Sequence, residues 1–442
     1  MIEDTDTVPM TAVTRAMKLT YLQAMLGAAS VALTGGAFIT GFALKLGADT
    51  IHIGLMSTLP MLCILVQLLA SAVVERGADR RRMTIIWSLG GVAGWAGILC
   101  IPLLGGVVAL PQIWLLIGML TLMTLFAYIA GSARGSWVGD LIPEAMRGAF
   151  FGNLFMYSAI VSGAFGLLGG VLMDYLKDRE ATAFCTLFAI GAGLGLVSVL
   201  LYLPQPHVRP ARASEDGFRA HLRATFANRP FMVVMLYALL WSLQSIAWPF
   251  YATYMLDTVK MSYFWISVTG ISAMLTMVLT APFWGRVVDR YGCRPVLVAC
   301  TAACVPLPLI WFWLETPLAV TVVVSTVNIL GGALGAGISV ALSTLVYKAT
   351  PSAGRAVQFA IYSILVTLAA APMPTLGGAL PGLLARWGIT ADIRVTFYAC
   401  IPLILAALFA ARAIREAGAG ATVELVRRLP FHLRRPASLH AA

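Results

Sequence analysis

"GRVVDRYGCRP", Gly285–Pro295, is a charged turn inside chain that is apolar on both sides. A near-copy, "SAVVERGADRR", stands at Ser71–Arg81. In the pairing of the two, Ser71, Glu75, Arg76, Ala78 and Arg80 fall opposite Gly285, Asp289, Arg290, Gly292 and Arg294. A second echo follows in the same order. "PEAMR" (Pro143–Arg147) precedes "NLFMYS", with Asn153 and Tyr157, and "PSAGR" (Pro351–Arg355) precedes "QFAIYS", with Gln358 and Tyr362. Two echoes at a similar offset predict an internal duplication.

The flanks of these turns decide the class. Of 442 residues, 60% are hydrophobic and 11% charged, where a soluble domain carries about 25% charged residues. Apolar runs such as Ile53–Val74, Ile113–Ala133 and Thr182–Leu203 reach the roughly 20 residues that cross a bilayer. Within hydrocarbon the backbone must satisfy its own hydrogen bonds, so such runs are helices. Twelve are predicted: 19–44, 53–74, 83–104, 112–136, 150–173, 182–203, 230–256, 264–284, 295–314, 317–346, 356–385 and 393–412. The fold class is therefore an all-α membrane protein, with twelve transmembrane helices in two pseudo-symmetric six-helix bundles. Residues 1–203 form the first bundle, 204–229 a cytoplasmic linker with a short surface helix around Gly217–Ala227, 230–412 the second bundle, and 413–442 a cytoplasmic tail.

Orientation follows the basic residues. Most of the 30 Lys and Arg fall in loops on the side of the two termini, while the other side holds Lys45, Lys177, Arg179, Lys260, Arg386 and Arg394. Both termini are thus expected in the cytoplasm, and the protein in an inner membrane. The net charge of +11 is scattered over separate loops, which argues for topology and against nucleic acid. "MIEDTDTVPM" lacks the charged n-region and short apolar core of a cleavable signal. The seven cysteines form no CxxC pair, and neither a disulfide nor a metal site is expected. The basic tail "ELVRRLPFHLRRPASLH", Glu424–His440, is expected to be disordered or to rest loosely on anionic lipid.

The turn G-xxx-D-R-x-G-x-R between the second and third helices of each half resembles the signature loop of the major facilitator superfamily of secondary transporters. "GDLIPEAMRG", Gly139–Gly148, resembles that family's inter-helix loop after the fourth span. The first copy departs from the pattern, with Ser71 and Ala78 in the glycine places and Glu75 for Asp, so its tight turn is less well specified. The resemblance implies alternating access, in which two halves rock about a site near the membrane midplane. It implies a gate of Glu75, Arg76, Arg80, Asp140, Arg147, Asp289, Arg290, Arg294 and Arg355. Glu75 would lie near the start of the eleventh helix by Arg355, Asp289 near the start of the fifth by Arg147, and Asp140 close to Arg76. A carboxylate there meets the positive end of a helix dipole and biases the equilibrium between two states. The plainer alternative is that these are topology signals and solvated loop charges.

Three sets of residues are candidates for solute binding. Arg134, in "YIAGSARGSWVGD", is a charge inside the fourth span, and charge at membrane depth marks function by default. It binds an anion, beside the small face of Ala127, Ala130 and Gly131, or it snorkels and ties to Asp140 or a helix end. In the seventh span, Trp241, Gln244, Trp248 and Tyr251 fall on one helical stripe beside Pro249. They form a cavity wall that stacks on an aromatic solute, or interfacial anchors. The pairs Asn153 and Tyr157, and Gln358 and Tyr362, face a cavity or bridge helices by hydrogen bonds.

No Asp or Glu lies in the middle of a span; Asp174, Asp257 and Glu315 stand near outer ends, and His52 in an outer loop. Coupling through a midplane acid is not expected. A proton as coupling ion would use a carboxylate at a mouth or ride on the solute, or the protein is a uniporter. No cofactor, phosphate loop or catalytic motif is recognisable, so an enzyme is not expected. The reading is a monomeric carrier of a small amphipathic or aromatic organic solute, anions included. The alternative is a non-transporting assembly factor on the same scaffold.

Overall fold

The computed structural model describes residues 10–75, 77–104, 111–142, 144–205, 226–312, 317–350, 355–388 and 392–416. Twelve helices among them are long and apolar enough to cross a membrane. They are α1 (Thr14–Lys45), α2 (Thr50–Val74), α3 (Arg80–Cys100), α4 (Gln112–Val138), α5 (Phe150–Tyr175), α6 (Lys177–Leu200), α7 (Arg229–Thr258), α8 (Tyr263–Tyr291), α9 (Cys293–Trp311), α10 (Val322–Ala349), α11 (Gln358–Ala385) and α12 (Val395–Ala413). The count and order match the spans read from hydropathy. Most of the linker, including the expected surface helix, and the tail beyond Glu416 lie outside the described residues.

The chain sorts into two compact units. Unit 1 holds Met1–Glu215 with Trp248–Val268 and Pro374–Ala379; unit 2 holds Asp216–Ala247, Thr269–Met373 and Leu380–Ala442. In unit 1, α1 packs on α5 and α6, α3 on α4 and α6, and α2 on α4. In unit 2, α9 packs on α10 and α12, and the first part of α7 on α10, α11 and α12. We call the end of each helix that joins the even loops (α2–α3, α4–α5) the near end, and the opposite end the far end.

Both signature turns are tight. Gly292 has φ +90° between α8 and α9, and Gly77 has φ +91° between α2 and α3. A Cβ is strained there, so both positions need glycine. In the first copy the left-handed residue is therefore Gly77, one place ahead of Ala78, and the turn is kept by a one-residue shift. Asp79 then caps α3 by accepting from the Arg82 N–H at 3.0 Å.

Several spans are broken where proline removes a donor. Pro374 has no N–H to give the Ala370 carbonyl, and α11 parts at Ala371–Pro372. The Ser245 hydroxyl donates to that carbonyl instead, at 2.9 Å. Upstream of Pro249, α7 passes through a 3-10 turn at Leu243–Ile246 and resumes at Trp248.

An arginine near the start of the third helix of each repeat ties down the last. The Arg81 Nη2 donates to the Leu203 carbonyl just past α6, and the Arg294 Nη2 to the Arg412 carbonyl in α12, the latter at 3.0 Å. A cation at a helix C-terminus complements the unpaired carbonyls and the dipole. Glu416 answers from the other direction. It accepts from the Arg294 N–H at the start of α9 at 2.8 Å and from the Lys348 Nζ at 3.0 Å. Burial opposes its ionisation, but these two donors outweigh burial and hold its carboxyl below the ordinary glutamate range. A depressed carboxylate stabilises the fold above its unfolded pKa, and that contribution is lost as pH falls through the folded value. Glu416→Gln should therefore lower the Tm of the detergent-solubilised protein at neutral pH, by the equivalent of about 1 kcal/mol. It should also flatten the fall in Tm on acidification below about pH 4.3. An unchanged Tm–pH curve would remove this clasp from the account.

Candidate functional site

Unit 1 contains a cavity of about 450 Å³ among α1, α3, α4 and α6. On α4 its lining runs Leu120, Met123, Thr124, Ala127, Ala130, Gly131 and Arg134, at three- and four-residue spacing on one helix face. Opposite stand Gln23, Gly27, Ser30 and Thr34 of α1, Trp87, Ser88 and Trp95 of α3, and Ser198 and Tyr202 at the end of α6. Small residues on α4 leave the space, and α1 and α6 contribute hydroxyls and an amide. The Gln23 Nε2 donates to the Ser198 Oγ, and that hydroxyl donates to the Gln23 carbonyl, both at 3.0 Å.

Among the described residues, Arg134 is the sole charged group lining the cavity. Its Nη1 donates to the Tyr202 hydroxyl at 3.4 Å, and among the described residues no carboxylate pairs with it. Tyr202 is itself locked in a packed cluster with Trp137 and Val199, against Ile85, Leu89 and Val92. The guanidinium is exposed, with most of its five donors unspent among the described residues. The cavity is thus graded: a cation and phenol at the near end, then indoles, a thioether and hydroxyls toward the far end. Such a shape accepts an elongated molecule with a polar or anionic head and an apolar, aromatic body.

The other expected site residues are dispersed. Trp241 is half-buried and stacks on Tyr237, with centroids 6.2 Å apart. The Gln244 Nε2 turns back onto the Trp241 carbonyl at 3.2 Å, inside the 3-10 turn. Trp248 is 64% exposed, and Tyr251 half-buried. The break in α7 interrupts the regular stripe that the spacing predicted. It also divides the four residues, Trp241 and Gln244 belonging to unit 2 and Trp248 and Tyr251 to unit 1. Asn153 is exposed, and Tyr157 meets Tyr21 edge-on at 5.5 Å. Gln358 is buried with its Oε1 unpaired among the described residues, and Tyr362 is half-buried.

Of the expected gate, the side chains of Glu75, Arg76, Asp140, Arg147 and Arg355 lie outside the described residues. Arg80 is 4% exposed and reaches the Ser136 Oγ at 3.4 Å. Asp289 and Arg290 are exposed, with the Arg290 guanidinium 5.7 Å from the Tyr291 ring centroid. Arg294, at the start of α9, turns its Nη2 inside unit 2 onto the Arg412 carbonyl in α12. Sequence reasoning passed over Gln23, Ser30, Thr34, Ser198 and Tyr202. Their signal was a polar stripe at helical spacing on α1 and α6, each member unremarkable alone.

Twelve bilayer-length helices, a duplicated charged turn and a polar-ended cavity inside the first repeat define a multi-pass membrane protein built to handle a small solute. The chain belongs to the Major Facilitator Superfamily, whose family model matches residues 20–244 and 233–435, and it is a transporter of that type. It is 25% identical, over 65% of its own length and 70% of the relative's, to a protein of Lactococcus lactis subsp. lactis (strain IL1403) described as a multi-drug resistance efflux pump PmrA homolog. Among solved structures it is similar to a mutant of the nucleoside transporter NupG, with TM-score 0.69 and 18% identity over 91% of this chain and 100% of that one. It is similar also to a D-xylose-proton symporter, with TM-score 0.69 and 13% identity over 93% and 100%. At these identities the solved structures speak to the fold alone.

Proposed function

We propose that this transporter moves a small amphipathic or aromatic organic solute, anions included, across the inner membrane by rocker-switch alternating access, with both termini in the cytoplasm. The observation that carries the reading is Arg134, a cation without a carboxylate partner among the described residues, at one end of a cavity walled by Trp87, Trp95 and Met123. Charge inside an apolar span is costly, and a guanidinium left with open donors is suited to a carboxylate or phosphate. The likeness to a protein described as a multi-drug efflux pump homolog supports an amphipathic cargo and export as the direction.

Matched sets of aromatic amphiphiles that differ only in head-group charge test this. The full chain, in detergent, should be stabilised most by the anionic members, because ligands stabilise the state they bind. The same compounds should show saturable flux in proteoliposomes. Stabilisation by cations alone, or no flux across the panel, would overturn the proposal.

A further inference from the structure

At the far end of unit 1, α8 takes a cap from another helix. The N–H groups of Tyr263 and Phe264, its first two residues, donate to the two carboxylate oxygens of Asp174, near the end of α5, at 3.0 and 3.1 Å. The cap comes from 89 and 90 positions away in sequence. The corresponding start in the first repeat, α2, carries its own cap. Asp49 accepts there from the His52 N–H at 2.8 Å, in a capping box.

Room for this contact is built in. A Cβ on Gly170 would stand 2.7 Å from the Phe264 Cα, so the start of α8 reaches α5 only because that position is bare. The Tyr263 ring stacks on Phe38 at 5.8 Å, and its hydroxyl fills the space that a side chain at Gly41 would need. A second contact lies in the same unit, between α2 and the Pro374–Ala379 segment of α11. The Thr58 hydroxyl meets the Thr375 Oγ1 at 2.8 Å, and the Thr50 hydroxyl donates to the Gly378 carbonyl at 2.8 Å. By order in the repeats the two contacts are counterparts, since each joins the second helix of one to the fifth of the other. Only the α5–α8 contact carries a charge.

We propose that Asp174 is a gating residue, a releasable clasp that holds the start of α8 while the outer end is shut. Its loss favours the state in which that end is open. This rests on the alternating-access reading. A carboxylate on two N–H groups at a helix start combines charge-assisted hydrogen bonds with the helix dipole. Both are given up together when α8 leaves, and water then takes the two N–H groups. The contact is therefore strong when made and available to be broken without stranding a buried group.

Met261, 5% exposed in the turn before α8, is the reporter. Met261→Cys is placed in a chain carrying Cys100→Ser, Cys100 being an exposed cysteine. Labelling by an impermeant maleimide from the outer side is read in whole cells, against the parent without the reporter. Asp174→Asn should raise the labelling rate about tenfold, the effect of losing one charge-assisted hydrogen bond. Gly170→Ala, which pushes on Phe264 without touching the carboxylate, should raise it as well, and decides the matter if Asp174→Asn is recovered in poor yield. Labelling unchanged in both variants, with flux retained, would overturn the clasp and leave the transport reading standing. Absent flux in the parent would strike that reading instead.

Discussion

Arg134→Ala should abolish saturable flux of an anionic solute while the protein is still made, inserted and extracted in normal amount. The two halves of that expectation come from the same geometry. The guanidinium lines the cavity, exposed, and its one hydrogen bond among the described residues is a long one, 3.4 Å to the Tyr202 hydroxyl. Among the described residues, removing it leaves no buried carboxylate uncompensated, which is what makes loss of an ion-pair partner destabilising. Tyr202 stays fixed by its packing with Trp137 and Val199. Binding is another matter. Truncating one partner of a desolvated charge pair costs about 2–5 kcal/mol, or about thirtyfold to several thousandfold in affinity. Arg134→Lys keeps the charge but loses the bidentate fork, and should retain part of the affinity. Tyr202→Phe should cost much less than either. Direct binding of a radiolabelled anionic amphiphile, beside Tm and yield, separates these outcomes. Wild-type binding by Arg134→Ala would dismiss the cavity as the solute site.

How much of this was legible beforehand follows from what lipid dictates. A bilayer forces long apolar runs into helices, so hydropathy alone locates all twelve. The duplicated turn was visible because charge stands out in such a chain, and Arg134 for the same reason. Direction within the bundle was harder to read. The cavity face of α4 is made of Leu120, Met123, Ala127, Ala130 and Gly131, whose types say nothing about solute. Trp241 and Trp248 drew attention by type, yet the 3-10 turn between them breaks the periodicity that joined them. Asp174 was noted only as a residue near an outer end. Its partners are backbone N–H groups, which leave no mark in the sequence, and they lie about 90 positions away. Side-chain chemistry at helical spacing is readable; a carboxylate that pairs with the main chain of a distant helix is not.

Gly332→Val should be strongly destabilising, and Gly335→Ala, three residues on, close to silent. Both glycines sit in "LGGALGAG", Leu330–Gly337, where composition treats them alike as packing glycines. A Cβ on Gly332 would press into the Ala273 carbonyl oxygen and come within 3.0 Å of its carbon and 3.1 Å of its Cα, all backbone of α8. Around Gly335 nothing lies within 4 Å of that position. The α8–α10 approach is pinned on either side of Gly332. The Trp284 Nε1 donates to the Ala333 carbonyl at 2.7 Å, and the Asn328 Nδ2 to the Thr269 carbonyl at 2.9 Å. A branched side chain at Gly332 must part the helices and stretch both bonds. Overpacking alone costs about 1–3 kcal/mol where side chains can yield, and here the obstacle is main chain, so the cost lies at or above the top of that range. Gly335→Ala adds a methyl to open space and raises intrinsic helix propensity. Yield of monodisperse protein and Tm in detergent distinguish the two. Equal behaviour would mean that α8 and α10 do not meet at Gly332.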